Sequence, residues 1–140
     1  MEVTLAVLAD CANITREGKL NIMGVFGEIN PPILPFNMST VYMVIVFVAN
    51  PSEVGSDKKL QIRLMDSDGK PILETEGRME IPSPSRSGKP ISIQSIVGFN
   101  DISFEKSGEY QFLILVNGEE KYQVNLTVNE PVIPIGEISE

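Results

Sequence analysis

The chain has no histidine, no tryptophan, one cysteine and few aromatic residues (6%). Each shortage excludes something. Without histidine there is no side chain whose ordinary pKa suits proton transfer near neutrality, and neither a histidine-based triad nor a histidine-containing zinc site can form. A lone cysteine, Cys11, cannot make an intrachain disulfide, which points to a reducing compartment. The scarcity of aromatics leaves few platforms for stacking sugars or bases. Basic residues are also in short supply, 11 against 19 acidic, for a net charge of −8. Those 11 are scattered, so the clustered cations that phosphate backbones require are missing and nucleic acid is not an expected partner. An acidic chain is likewise ill suited to anionic membrane surfaces. The longest apolar run, Val41 to Ala49, falls far short of the roughly 20 residues that cross a bilayer as a helix. Met1-Glu2-Val3-Thr4 enters a strand pattern with none of the marks of a signal peptide. The expected location is cytoplasmic, with no membrane partner.

What is present suffices for a core. Hydrophobic residues make up 42% of the 140 and charged residues 21%, a balance that suits one globular domain held by neither disulfide nor metal. Val3 to Asp10 is mostly apolar on both faces, as in a strand buried within a sandwich. Thr15-Arg16-Glu17-Gly18 is a turn, and Leu20 to Ile29 reads as the returning strand. Three prolines between Asn30 and Phe36 remove ladder donors and mark an extended crossover between sheets. Val41 to Ala49 reads as a fully buried strand, stopped by Asn50-Pro51. Leu60, Ile62 and Leu64 alternate with Gln61, Arg63 and Met65. Asp66-Ser67-Asp68-Gly69 then turns the chain, and Glu74, Glu76, Arg78 and Glu80 give the next strand a charged, solvated face. Pro82 to Pro90 is expected to be a mobile polar loop, followed by a strand from Ile91 to Ile96. Tyr110 to Val116 and Tyr122 to Val128 flank Asn117-Gly118, the favoured centre of a tight hairpin.

About eight strands without helical periodicity predict an all-β fold, an antiparallel β-sandwich of immunoglobulin-like type. The sandwich is expected over residues 1–128, with an extended C-terminal tail over 129–140.

Chemistry-bearing candidates are thin. Cys11 shares the parity of Leu5, Val7 and Ala9 and is expected to be a buried small hydrophobe. Asp66 and Asp68 beside Gly69 have some likeness to a calcium loop, but Gly77 occupies the twelfth position where a glutamate is needed, so a hairpin turn is the better account. Glu74, Glu76 and Glu80 share one strand face, where two acids at alternate positions lie about 7 Å apart, a spacing tolerable for glycosidic chemistry. A solvated face explains them more simply. Gly88-Lys89 lacks the earlier glycine of a phosphate loop, where Ser83 stands, and has Pro90 where a hydroxyl belongs. Gly24 and Gly27 precede no helix and suggest a bulge or bend. Gly108-Glu109-Tyr110-Gln111-Phe112 has the spacing of a tyrosine corner, although Lys106 stands where an acidic residue is usual. An ordinary turn leading into a strand is the alternative.

Three blocks together carry a resemblance. They are Leu8-Ala9-Asp10 with Ala12, Gly18-Lys19-Leu20-Asn21 and Gly24; then Leu60 to Leu64 with Asp66 and Asp68-Gly69; then Phe104, Gly108-Glu109-Tyr110, Phe112 and Val116-Asn117-Gly118-Glu119. The chain resembles an uncharacterised bacterial domain-of-unknown-function family of small single-domain all-β proteins. The resemblance implies a β fold and a bacterial intracellular setting, and it transfers no catalytic residue, since every matched position is a turn, an apolar strand position or a hairpin residue. No catalytic, cofactor-binding or metal-binding residue is therefore assigned. The expected function is that of a non-catalytic protein-interaction or structural module, with a protein partner or self-association. A small-ligand or cation-binding module using Asp66 to Gly69 is the alternative, and a carboxylate-only hydrolase the remotest.

Overall fold

The computed structural model describes residues 1–84 and 88–132. The expected loop over Pro82 to Pro90 falls partly, at 85–87, outside the described residues, and most of the expected tail, 133–140, falls outside them as well. The described elements are β1 (Glu2–Ile14), β2 (Leu20–Phe26), β3 (Glu28–Ile29), β4 (Phe36–Ala49), β5 (Asp57–Met65), β6 (Pro71–Glu80), β7 (Ile91–Phe104), β8 (Gly108–Val116) and β9 (Glu119–Val128), with one 3₁₀ turn at Pro51–Glu53. They form two sheets, ordered β2-β1-β4-β7 and β3-β9-β8-β5-β6. All pairings are antiparallel except the short parallel bridge between β3 and β9.

The core lies between the sheets. β4 sends Val41, Met43, Ile45 and Phe47 inward, where they meet Leu8 of β1 and Ile62, Leu64, Phe112 and Ile114 of the opposing sheet. These positions alternate along their strands because successive side chains point to opposite faces. Phe99 and Phe112 pack across the sheets with ring centroids 5.7 Å apart. Phe104 meets Tyr110 edge to face at 4.9 Å.

Two turns show why the sequence reverses where it does. Asn117 and Gly118 both have positive φ, 51° and 81°, as a type I′ hairpin requires. The Asn117 side chain also accepts a hydrogen bond from the Lys59 amide at 2.9 Å, which ties the β8–β9 turn to β5. At the β5–β6 turn, Asp66 Oδ1 accepts from the amides of Asp68 (2.9 Å) and Lys70 (2.8 Å). That carboxylate closes its own loop, and Gly69 supplies the positive φ.

Two sequence expectations need correction. The return strand predicted over Leu20 to Ile29 is broken: β2 ends at Phe26, and Glu28–Ile29 pairs in the other sheet with Thr127 and Val128. The break falls at Gly27, whose carbonyl accepts from the Thr127 amide at 3.0 Å. The chain thus changes sheets before the proline-rich stretch, which carries it back to β4 through a cis Leu34–Pro35 bond. Cys11 is the second case. It does share a face with Leu5, Val7 and Ala9, but it is exposed. That face turns away from the core, because β1 buries Ala6 and Leu8 between the sheets instead. A strand apolar on both faces does not itself say which face meets the second sheet.

Candidate functional site

The acidic candidates are occupied by local structure. Asp66 is drawn below the usual carboxylate range, chiefly by the Lys70 amide. Asp68 pairs with Lys106 Nζ at 3.1 Å. Glu74 accepts from Arg63 Nε at 2.8 Å and from Gln61 at 3.0 Å, and the Arg63 bond leads in holding its pKa down. Glu76 pairs with Lys59 at 3.4 Å. Glu80 stands opposite Asp57 at the end of the β5–β6 ladder. Glu74, Glu76 and Glu80 lie on the outward face of the five-stranded sheet, as the alternation predicts, while Asp66 and Asp68 belong to the turn. A cleft of about 600 Å³ opens at the β5–β6 turn, with Asp66, Asp68, Asp101 and Lys106 at its rim and Leu73 and Ile102 in its wall. Its two turn carboxylates already have partners. Among the described residues, no three His, Cys, Asp or Glu side chains are grouped to hold a metal ion.

At one rim of this cleft, the Tyr110 hydroxyl donates to the Lys106 carbonyl at 2.6 Å. This is the bond anticipated from the Gly-x-Tyr spacing, and it fastens the entry of β8 to the loop before it. Burial of the ring pushes the Tyr110 pKa up. Gly108 takes a φ of 147°, a conformation side chains rarely adopt, so glycine is needed there. Gly88-Lys89 leads into β7, and Gly24 lies within β2 with φ 72° against the Asp10 side chain.

The outer surfaces of the two sheets differ in kind. On the five-stranded sheet, the ion pairs above alternate with buried residues, the ordinary pattern for a face in water. On the four-stranded sheet the register sets Leu5 beside Val46 and Gln94, then Val7 beside Val44 and Ile96, then Val25 and Ala9 beside Tyr42 and Gly98. Met23 lies opposite Cys11 at the next position. From Leu5 to Cys11 and from Tyr42 to Val48 this surface carries no charged side chain, and Glu2 stands at its margin opposite Val48. Met23 is 66% exposed and Val25 58%. Leu5, Val7, Tyr42, Val46, Val48 and Ile96 are half-buried, and Ala9 and Val44 in the same rows are fully buried. None of them belongs to the packed core of the described residues. The Tyr42 ring leans toward Gly98, which has no side chain to displace it. This outer surface is thus largely uncharged on a chain of net charge −8.

Sequence reasoning missed this face as a site, although its signal was visible. Leu5 to Ala9 and Val41 to Ala49 are apolar at successive positions, which an antiparallel strand with one wet face does not need. Reading both as buried on two sides hid the second side.

Among the described residues no helix is long and apolar enough to cross a membrane. No curated protein matches the chain. Residues 4–129 match the family of unknown function DUF6941, whose extent covers both sheets, the outer apolar face and the β8–β9 hairpin. The chain belongs to that family.

Proposed function

We propose that the chain is a non-catalytic, immunoglobulin-like interaction module of the bacterial cytoplasm that docks a protein partner on the outer face of its four-stranded sheet. The observation that carries this reading is the run of uncharged, mostly apolar residues across four adjacent strands, Val25, Val7, Val46 and Ile96 among them. Exposing such a surface to water is unfavourable by about 25 cal/mol per Å², so covering it supplies binding energy without any catalytic group.

Strand order supports the immunoglobulin-like part. With β1, β4 and β7 as strands A, B and E, and β9, β8 and β5 as G, F and C, the A-B-E and G-F-C adjacencies agree with such domains, while β2, β3 and β6 stand outside the comparison. Tyr110 then sits near the start of strand F with its hydroxyl bonded upstream. The non-catalytic part is supported by the direction of the carboxylate shifts. Glu53, Asp66, Glu74 and Glu119 are all held in the ionised form by hydrogen bonds or cations. A general acid needs the opposite shift. The lone thiol suits a reducing compartment.

The test is affinity capture from the native host with three baits: the wild type, Met23→Lys/Val25→Lys, and a Gln123→Lys control on the opposite sheet. A protein held by the wild type and the control but lost from the double variant supports the reading. Equal recovery on all three removes this face as the docking site.

A further inference from the structure

We infer that the occupant of the apolar face is a second copy of the chain, packed sheet on sheet across a two-fold axis; this rests on reading that face as a docking surface. Three properties of the face select a copy of itself. The first is charge. Two molecules of net charge −8 repel, and most approaches would set carboxylate against carboxylate. The rows from Leu5–Val46 to Ala9–Tyr42 contain no charged side chain, so two copies meet there without a like-charge penalty.

The second is shape. Two sheets of the same right-handed twist pack face to face at about −30°, with their side chains interdigitating. Two copies of one sheet meet that condition automatically, and a two-fold axis makes the contact self-complementary. The β-branched residues Val7, Val46 and Ile96, packed around the fully buried Val44, give short, stiff side chains suited to such a layer.

The third is area. Three strands about 4.8 Å apart over seven residues of about 3.3 Å each, with β2 alongside only from Leu8 to Cys11, give a footprint of roughly 400 Å² in projection. Ala9 and Val44 are already fully buried within this layer, and Leu5, Val7, Val46 and Ile96 are half-buried. Each copy therefore offers less than the roughly 600 Å² per partner at the lower end of specific interfaces. An interface of this size predicts a dimer that dissociates on dilution.

Sedimentation equilibrium of the full chain across the micromolar range tests this, read beside the rate of Cys11 alkylation. Cys11 lies on the same face, opposite Met23. The expected result is a mass of twice 15.4 kDa at high concentration, with Cys11 reacting more slowly there than after dilution. Val46→Lys should give a monomer with fast alkylation. Met23→Lys/Val25→Lys, at positions exposed enough to leave the fold intact, should weaken association by tenfold or more, and Gln123→Lys should leave it unchanged. A wild type that stays monomeric while the double variant still loses a captured protein overturns the dimer and leaves the docking reading standing. A monomer whose Cys11 becomes faster only in Ile133→Ser/Ile135→Ser/Ile138→Ser overturns it in favour of the chain's own C-terminal segment. A dimer retained by every face variant, together with unchanged capture, defeats both readings.

Discussion

One hydrogen bond at 2.6 Å, donated by the Tyr110 hydroxyl, joins the entry of β8 to the Lys106 carbonyl. Tyr110→Phe keeps the ring against Phe104 and removes that bond. Unfolding in urea should show a loss of about 1–1.5 kcal/mol with an unchanged m-value. Gly118 tests backbone conformation separately from packing, because no atom lies within 4 Å of where its Cβ would be. Gly118→Ala should therefore cost about 1–2 kcal/mol through the left-handed backbone alone. Glu53 carries a pH dependence. The Asn50 amide, helped by Lys58 and the Met1 amine, lowers its pKa from 4.5 to about 2. A carboxylate depressed in the folded state adds stability above its unfolded pKa, and that stability is lost as pH falls through the folded one. Melting temperature should thus fall between about pH 4.5 and 2, and Glu53→Gln should lower it at neutral pH and flatten that decline. The turn residues among these contacts were legible from sequence, since Asn-Gly and Gly-x-Tyr state their backbone needs locally. Glu53 was not, because its partners include Met1, brought to it only by the fold.

At the scale of elements, β4 shows how far a pattern reaches. Its apolar run marks a central strand, and β4 is indeed flanked by β1 and β7. Alternation then separates Val41, Met43, Ile45 and Phe47 from Tyr42, Val44, Val46 and Val48. Since both sets are apolar, sequence gives no reason to choose between them. The register chooses, placing the odd set against β5 and β8. Phe47→Ala should therefore destabilise the chain by about 3–5 kcal/mol, as expected for a large residue removed from a close-packed core. Val48→Thr on the other face should change stability by less than about 1 kcal/mol. Chemical denaturation of both variants checks the assignment, and equal losses would contradict it. The division of Leu20 to Ile29 into β2 and β3 was hidden for a related reason. Gly27 permits a break, but a break occurs only because β9 offers a free edge to Glu28–Ile29.

For the whole molecule, the decisive contrast is between the two outer surfaces. One is laced with ion pairs such as Arg63–Glu74 and needs no partner. The other presents Met23, Val25, Val7, Val46 and Val48, and its predicted behaviour is concentration-dependent association that lysine on that face weakens. By itself the sequence determined the all-β class, the turns at Asp66–Gly69 and Asn117–Gly118, and the lack of histidine-based chemistry. Composition, strand period and turn geometry are local properties that each residue carries with it. Only the tertiary structure decided which side of β1 and β4 became core, where β2 yields to β3, and that Cys11 stands in the open. Each of those depends on which distant strand lies opposite, and no short stretch of chain holds that information.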